Sequence, residues 1–286
     1  MAWGDPECGG TAPAISADRT VRSVYSNEWA HVAILDNGRI VTWGALGRGG
    51  GTPEIPAGRT VCSVSSNAGS HVALLDNGSI VAWGFRELGG RAPQIPAGRK
   101  VRSVYSKDWS HVALLDNGST VAWGDLGDGG DGGRTPDIPP DRTVRSVSSN
   151  HRSHVAILDN GSVVACGDPE LGGSAPPIPE GRTVRSVSSN DRSHVAILDN
   201  GRIVAWGDAA SGGTTPHIPA GRTVRSVYSN YRSHVAILDN GGVVAWEYLR
   251  DGGRTPEIPA GRTISCNYGN NASISSEFPP NGGPKF

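Results

Sequence analysis

The chain has 286 residues, a formal net charge of −1, and many glycines (41) and prolines (20). A net charge near zero provides no global field toward nucleic acids or membranes, so we expect a nucleic acid to be absent from its partners. No apolar run approaches the roughly 18–20 residues that span a bilayer, so we expect no membrane insertion. The N-terminus lacks the basic-then-apolar pattern of a signal peptide, and we expect an intracellular protein of unspecified compartment.

A unit of about 40 residues is repeated along most of the chain. Each copy ends on a tryptophan that follows Ala or Thr and precedes Gly, although a cysteine replaces the tryptophan once and Glu247 replaces the last glycine. Self-similarity at this period predicts a solenoid, a propeller or an array. The marker positions are 40 residues apart, with one interval of 43: Trp3, Trp43, Trp83, Trp123, Cys166, Trp206 and Trp246.

Within one unit, the sequence predicts three strands. Strand A covers residues 21–26, strand B residues 31–35 and strand C residues 39–43, because each is rich in β-branched or alternating apolar residues. Asp-Asn-Gly lies between strands B and C and predicts a β-hairpin with a type I′ turn, which needs positive φ at both central residues. Two prolines in residues 52–56 exclude a central strand there. The hairpin aspartates are Asp36, Asp76, Asp116, Asp159, Asp199 and Asp239.

The ends of the chain carry complementary parts of a unit. Residues 2–4 resemble the end of strand C, whereas residues 262–268 resemble strand A and precede a degenerate strand B. A three-stranded sheet buries its faces only by stacking on its neighbours, and closing the ring removes the exposed ends. We therefore predict an all-β fold, a seven-bladed β-propeller of three-stranded blades whose last blade is shared between the N- and C-termini. It would form one domain over residues 1–278, followed by a C-terminal tail at 279–286.

The repeated Trp, Ile and Val side chains are predicted to fill the gaps between blades. Burying a tryptophan removes about 150–250 Å² from water, which makes it a large stabilising contribution. Cys166 therefore predicts a thinly packed fifth blade. The four cysteines stand at different phases of the repeat, and they are Cys8, Cys62, Cys166 and Cys266. This irregular spacing favours neither a disulfide framework nor a zinc site, and we expect no metal or cofactor.

The phrase His-Val-Ala-(Ile/Leu)-Leu-Asp-Asn-Gly-x-(Ile/Val)-Val-Ala-Trp-Gly resembles the repeat of the regulator of chromosome condensation family. The resemblance extends over roughly residues 2–270 and rests on six near-identical copies. The units are shorter than is usual in that family, and in this respect the chain is similar to the short-bladed propeller type of the bacterial β-lactamase inhibitor. The resemblance implies the propeller fold, and a propeller face that holds another protein.

Three sets of recurrent polar residues have competing interpretations. The histidine at the start of strand B is interpreted as framework, hydrogen-bonded to a neighbouring blade's backbone, rather than as a metal ligand. The hairpin aspartates are interpreted as turn residues rather than as a carboxylate ring. The arginines before strand A would either bind phosphate or an acidic partner, or pair with nearby carbonyls and carboxylates: Arg19, Arg59, Arg99, Arg142, Arg182, Arg222 and Arg262.

Variable positions are the best candidates for function, because the constant ones are scaffold. The loop between strands A and B carries a different pair of residues in each unit, and all pairs emerge at the same phase of the repeat. Trp, Tyr and Arg dominate binding hot spots, whereas drift at loop tips would favour small polar residues. Among these loops and a variable position of strand A, the predicted partner-binding residues are Glu28, Trp29, Asp108, Trp109, His151, Arg152, Arg192, Tyr231, Arg232, Tyr25, Tyr105 and Tyr228.

A second variable set lies in the turn from strand C to the next strand A. It comprises residues 85–88, residues 248–250 and a three-residue insertion near Asp131, and it would form another docking edge. Taken together, the sequence predicts a non-enzymatic protein-interaction module, acting as a scaffold or adaptor subunit of a larger complex. The alternatives are a guanine-nucleotide exchange factor or chromatin adaptor, an inhibitor that plugs an enzyme's active site, and a propeller enzyme. The sequence does not identify the protein partner.

Overall fold

The computed structural model of the chain describes residues 4–125, 136–246, 263–266 and 272–275. By its internal contacts the chain divides into two compact units, Met1–Pro177 and Ile178–Phe286. Strands account for nearly all of the regular structure, and the helical segments that the structure describes are single 3₁₀ turns. These turns are Pro6–Cys8, Leu46–Arg48, Arg86–Leu88, Pro169–Leu171 and Ala209–Ser211.

The first unit contains four three-stranded antiparallel sheets, each with its strands in chain order. We call these sheets blades 1 to 4. Their strands are β1 (Val21–Ser26), β2 (Ala30–Leu35), β3 (Ile40–Gly44), β4 (Val61–Ser66), β5 (Ser70–Leu75), β6 (Ile80–Gly84), β7 (Val101–Lys107), β8 (Ser110–Leu115), β9 (Thr120–Gly124), β10 (Val144–Ser149), β11 (Ser153–Leu158) and β12 (Val163–Gly167).

The described residues of the second unit form two further blades of the same kind and a two-stranded antiparallel sheet. Its strands are β13 (Val184–Ser189), β14 (Ser193–Leu198), β15 (Ile203–Gly207), β16 (Val224–Ser229), β17 (His234–Leu238), β18 (Val243–Trp246), β19 (Thr263–Cys266) and β20 (Ala272–Ser275). The predicted all-β fold of repeated three-stranded blades is therefore confirmed. The partner strand predicted around Trp3 and the tail at 279–286 lie outside the described residues, so the shared seventh blade and the single-domain boundary stay predictions.

The hairpin between strands B and C differs from the predicted type I′ turn. Gly38 has φ +74°, but the only non-glycine residue with positive φ in the described part of the chain is Asp108, so Asn37 has negative φ. The amide of Gly38 donates to the carbonyl of Leu35, which makes a type I turn followed by a left-handed glycine. The cause is Asp36, whose amide leaves the hairpin to donate to the carbonyl of Thr20 and so lengthens the loop to three residues.

Apolar side chains from adjacent blades form the core. Val32 and Ile34 of blade 1 pack against Val61, Val64 and Leu75 of blade 2, and all five are buried. Val32 and Ile34 are two residues apart, and the β-bulge between Val61 and Ser63 brings Val61 and Val64 to the same face of β4, so one face of each sheet meets the next blade. The predicted packing of Trp, Ile and Val between blades is confirmed. In blade 4, which holds the fifth marker position of the repeat and is the fifth blade of the sequence analysis, every residue of β12 is only half-buried, and this is the strand that carries Cys166.

A glycine, a histidine and a tryptophan join consecutive blades. The indole Nε1 of Trp83 donates to the carbonyl of Gly49, which belongs to the preceding C-to-A turn, at 3.0 Å. Trp83 also packs against the ring of His71, with 5.3 Å between ring centroids. Gly49 has φ +109°, and a Cβ at this position would overlap the imidazole of His71. The same three-residue contact forms in Gly9-His31-Trp43, Gly89-His111-Trp123 and Gly212-His234-Trp246.

The histidines are framework residues, but the hydrogen bonds of His71, His111 and His234 run to side chains and not to the predicted backbone groups. His111 Nδ1 lies 2.6 Å from Ser106 Oγ, and its Nε2 lies 2.8 Å from Ser70 Oγ of the preceding blade. The prediction of a backbone hydrogen-bond partner was wrong because a serine of strand A lies directly opposite the histidine of strand B in the sheet, as Ser106 lies opposite His111. Burial lowers the pKa of His71 to about 4, of His111 to about 3 and of His234 to about 4.

The replacement Gly49→Ala tests the glycine contact. A Cβ would both clash with His71 and occupy a left-handed conformation, so we expect a loss of roughly 2 kcal/mol or more in the free energy of unfolding. Urea denaturation measures it. Gly47→Ala is the matched control, since it lies in the same turn and its added methyl group would have no neighbouring atom within 4 Å. An equal loss of unfolding free energy in both variants would contradict the role of Gly49 as a close contact of His71.

The buried histidines predict acid destabilisation. Their pKa values in the folded state lie below the ordinary value of 6.5, so the unfolded state binds protons first as the pH falls. Stability should therefore be fully present above about pH 6.5 and fall toward pH 4, by up to about 1.4 kcal/mol per pH unit for each histidine. Urea midpoints measured across this range check the slope. A free energy of unfolding that does not change between pH 6.5 and pH 4 would refute the prediction.

Candidate protein interface

The A-to-B loop and the following C-to-A turn lie side by side in the four blades whose turns the structure describes, blades 1, 2, 4 and 5. In blade 1 the side-chain amide of Asn27 donates to the carbonyl of Arg48 at 2.9 Å, and its oxygen accepts from the amide of Ala30. One asparagine thus closes the loop and ties it to the turn. Equivalent amide-to-carbonyl bonds join Asn67 to Leu88, Asn150 to Leu171 and Asn190 to Ser211.

Because of this bond, the two variable sets that the sequence separated share one edge of the blades. The amide of Phe85, at the start of the second C-to-A turn, donates to the carbonyl of Gly69 in the A-to-B loop at 2.8 Å. Residues 85–88 therefore belong to the edge that carries the loop pairs and do not form a separate docking edge. Residues 248–250 and the insertion near Asp131 lie outside the described residues.

Trp29 is the first predicted residue on this edge. It is 38% exposed, and the neighbouring Glu28 is exposed as well. The guanidinium carbon of Arg48 lies 5.6 Å from the Trp29 ring centroid and 4.4 Å from that of Phe85, which is 37% exposed. We call Trp29, Arg48, Gly69 and Phe85 the Arg48 cluster. The sequence analysis missed Arg48 because it sits in a glycine-rich turn that resembled a simple connection.

Blade 3 departs from the asparagine rule. Lys107 replaces the asparagine and pairs with Ser110, which extends β7 by one residue and leaves Asp108 at the loop tip with φ +37°. A non-glycine residue in this region is strained. The backbone carbonyl of Asp108 accepts from the amide of Ala68 at 2.9 Å, so the loops of blades 2 and 3 are joined directly.

Asp108, Trp109, His151 and Arg152 come together, as predicted from their shared phase. The Asp108 carboxylate lies 3.5 Å from Lys107 Nζ and 3.4 Å from His151 Nδ1. Burial alone would raise the pKa of Asp108, but its contact with His151 and the charge of Lys107 outweigh burial and lower it. Trp109 packs on His151 with 3.8 Å between ring centroids, and the guanidinium of Arg152 lies 5.6 Å from the Trp109 ring.

The second unit places its predicted residues in a similar local arrangement. Tyr231 is 62% exposed, and the guanidinium of Arg232 lies 5.4 Å from its ring centroid. The carbonyl of Tyr231 is 3.4 Å from the amide of Asp191 in the preceding loop. Arg192 forms an ion pair with Asp208 at 3.8 Å. Aromatic rings and arginines thus also meet in the loops of this unit.

The variable tyrosines of strand A lie elsewhere. Tyr25 and Tyr105 are half-buried and pack against the apolar clusters between blades. Tyr228 is half-buried too. Where serine occupies this position, as in Ser65, its hydroxyl donates to the carbonyl of Val104 in the next blade at 2.8 Å. The position therefore alternates between packing and hydrogen bonding across the gap between blades, and a binding role for these tyrosines stays a prediction.

Nearby carboxylates and carbonyls engage the recurrent arginines. Arg19 lies 3.9 Å from the hairpin carboxylate of Asp36, and four other units have the same pair. Three residues further, Arg22 stands at a β-bulge and donates to the carbonyl of Cys62 in the next blade at 2.7 Å. These contacts favour pairing over the alternative of a phosphate-binding ring. Among the described residues no group of three or more His, Cys, Asp or Glu side chains is placed to hold a metal.

No protein-family model matches the sequence, and a search of curated proteins finds no match. Solved structures are similar in fold. Yeast RCC1 (Prp20) bound to Kap60 has a TM-score of 0.56 and 14% identity over 85% of this chain and 77% of that one. Saccharomyces cerevisiae Prp20p, studied with its binding to Gsp1p and histones, has a TM-score of 0.56 and 14% identity over 85% of this chain and 78% of that one.

The CRINKLY WD40 ectodomain of the Arabidopsis thaliana receptor kinase ACR4 is also similar. Its TM-score is 0.54, with 16% identity over 86% of this chain and 90% of that one. At this level of identity the likeness concerns the fold alone, and the fold is that of a β-propeller. In the part of the chain that the structure describes, no helix has the length and apolar character needed to cross a bilayer.

Two tyrosine substitutions separate packing residues from surface residues. Tyr25→Ala removes a ring from the gap between blades, so we expect it to lower the free energy of unfolding by about 1–3 kcal/mol. Tyr231→Ala removes an exposed ring of the same chemistry and should cost less than about 1 kcal/mol, including its contact with Arg232. Urea denaturation compares them. A larger loss from Tyr231→Ala would show that this loop packs more tightly than its exposure indicates.

Proposed function

We propose that this protein is a non-enzymatic protein-interaction module, a scaffold or adaptor subunit of a larger complex. It binds a protein partner through the loop edge of its blades, which is the edge that carries the A-to-B loops and the C-to-A turns. The observation that carries the proposal is the pairing of aromatic rings with arginine guanidiniums along this edge. In the first unit it includes Trp29 with Arg48 and Trp109 with Arg152. These residue types are the ones that dominate hot spots in protein interfaces.

The way the loops are held supports this function. Asn27, Asn67, Asn150 and Asn190 each bond their own loop to the following turn, and the Ala68 amide bonds the loop of blade 2 to that of blade 3. Side chains presented from such loops lose little conformational entropy on binding, so more of the contact energy remains as affinity. A pre-organised surface of this kind suits a module whose task is to hold another protein.

The absence of enzymatic activity is part of the proposal. The histidines that could act as acids or bases recur in the blades, where serine and asparagine side chains contact them, and burial lowers the pKa of His71, His111 and His234. The hairpin aspartates recur too, paired with arginines at the chain's regular spacing. A catalytic site requires an asymmetric set of groups with matched pKa values, and neither repeated set has that character.

The similarity to Prp20p supports a second candidate, a guanine-nucleotide exchange factor or chromatin adaptor. Structures of that protein concern its complex with Kap60 and its binding to Gsp1p and histones. Because the likeness is one of fold, this candidate rests on analogy. Accelerated nucleotide release from a small GTPase in the presence of this protein would favour it over the adaptor function.

A pull-down with a loop variant tests the proposed function. The wild-type chain and the triple variant Trp29→Ala/Trp109→Ala/Tyr231→Ala would be used to capture proteins from the source lysate, with identification by mass spectrometry. We expect the variant to lose a specific partner, because it lacks three exposed or half-buried rings of the loop edge. A matched control replaces exposed hairpin residues in Arg39→Ala/Ser79→Ala/Arg202→Ala and should retain the partner.

Circular dichroism would establish that both variants fold before their captured proteins are compared. A partner that binds the loop variant as well as the wild type, but not the hairpin variant, would place the interface on the opposite end of the blades. No captured protein with any of the three chains would contradict the adaptor function itself.

A further inference from the structure

Blade 2 leaves a notch in the loop edge. At the second variable position the other A-to-B loops carry a large side chain, whereas blade 2 has Gly69 after Ala68. A Cβ on Gly69 would lie 3.2 Å from Nη1 of Arg48 and 3.0 Å from Cδ1 of Leu88. The missing side chain therefore makes room for Arg48, which reaches across from the turn of blade 1. The large residues at this position are Trp29, Trp109, Arg152, Arg192 and Arg232.

The guanidinium of Arg48 is held by aromatic rings and lacks an anionic partner among the described residues. It lies over both Trp29 and Phe85, whereas Arg19 and its equivalents pair with hairpin carboxylates. In the described ranges, no carboxylate or carbonyl accepts a hydrogen bond from the Arg48 side chain, and no carboxylate forms an ion pair with it. Its planar N–H groups are thus donors that the fold positions and leaves available.

We propose that the Arg48 cluster binds a carboxylate side chain of an acidic peptide segment that carries apolar residues next to the acid. The inference rests on the proposed function and specifies the chemistry of the partner. Arg48 would donate two parallel N–H bonds to the carboxylate, the geometry in which guanidinium recognises this group. Trp29, Phe85 and the 79% exposed Leu46 would contact the apolar neighbours of the acidic residue.

Charge complementarity favours a carboxylate over a phosphate. A phosphate carries about two negative charges at neutral pH and is usually bound by several cations. The Arg48 cluster offers one guanidinium. The exposed Glu28 adjoins Trp29 in the chain, and the exposed Glu87 follows Phe85 by two residues, after Arg86. They would repel a dianion more strongly than a single carboxylate. Stacking on two rings also holds the guanidinium in place, so less rotamer entropy is lost when it binds.

The test is selection of a phage-displayed random 12-residue peptide library on the immobilised full-length chain. Selected peptides would be synthesised with a fluorophore, and their Kd measured by fluorescence polarisation against wild type, Arg48→Gln, Arg48→Lys and Gly69→Ala. We expect Asp or Glu beside apolar residues in the selected peptides, and at least about a tenfold weaker Kd for Arg48→Gln. Arg48→Lys should recover part of the loss, and Gly69→Ala should weaken binding by displacing Arg48.

Arg39→Gln is the matched control, an exposed arginine on a B-to-C hairpin, and should leave the Kd unchanged. Selected peptides without acidic residues, or with an affinity that Arg48→Gln does not change, would overturn the inference. If Trp29→Ala still abolished the binding of such peptides, the proposed function would stand while the carboxylate anchor failed. Tighter binding of the same peptides with phosphoserine in place of the acidic residue would overturn the choice of carboxylate. A library that enriches no peptide would overturn the inference as well. The proposed function would then still be tested separately by the pull-down.

Discussion

The contact of a glycine, a histidine and a tryptophan between adjacent blades is the constraint on which the rest of the structure depends. Gly49 lacks the Cβ that would overlap His71, and its carbonyl accepts the indole N–H of Trp83. One residue from a connecting turn thereby touches two residues of the following blade. The contact sets the distance from each turn to the next sheet, and it explains why glycine recurs at this phase of the repeat.

This framework also determines which side chains remain for function. His111 and Ser70 are buried together, and Arg22 is hydrogen-bonded to a carbonyl of the next blade. The repeated histidines and arginines therefore already have partners within the fold and are poorly placed to bind a ligand. The A-to-B loops are different. Asn27 fixes the backbone of its loop from within, so the side chains of the adjacent Glu28 and Trp29 are not needed to close the loop. Variation at these two positions therefore costs the fold little.

The repeat made most of the fold predictable. Alternating apolar residues and the hairpin signal located the strands of each described blade to within about a residue, because period-2 patterning follows directly from strand geometry. Details set by contacts over a longer range were missed. The turn around Asn37 is type I because Asp36 bonds to Thr20, and Tyr25 faces the gap between blades. Neither is visible in local sequence, since both depend on a neighbouring segment or sheet.

The candidate site was predictable from its aromatic residues but not from Arg48. The available signal was an exception: Ala68-Gly69 is the one small pair among loops that otherwise carry larger residues. Lys107, which replaces a recurrent asparagine, and Asp108, with its strained φ of +37°, are further exceptions in the neighbouring loop. In a chain of near-identical units, local rules are satisfied wherever the fold alone decides the residue. Departures that introduce an opening, a charge and backbone strain on one edge are not required by the fold, and for this reason we propose that a partner contacts that edge.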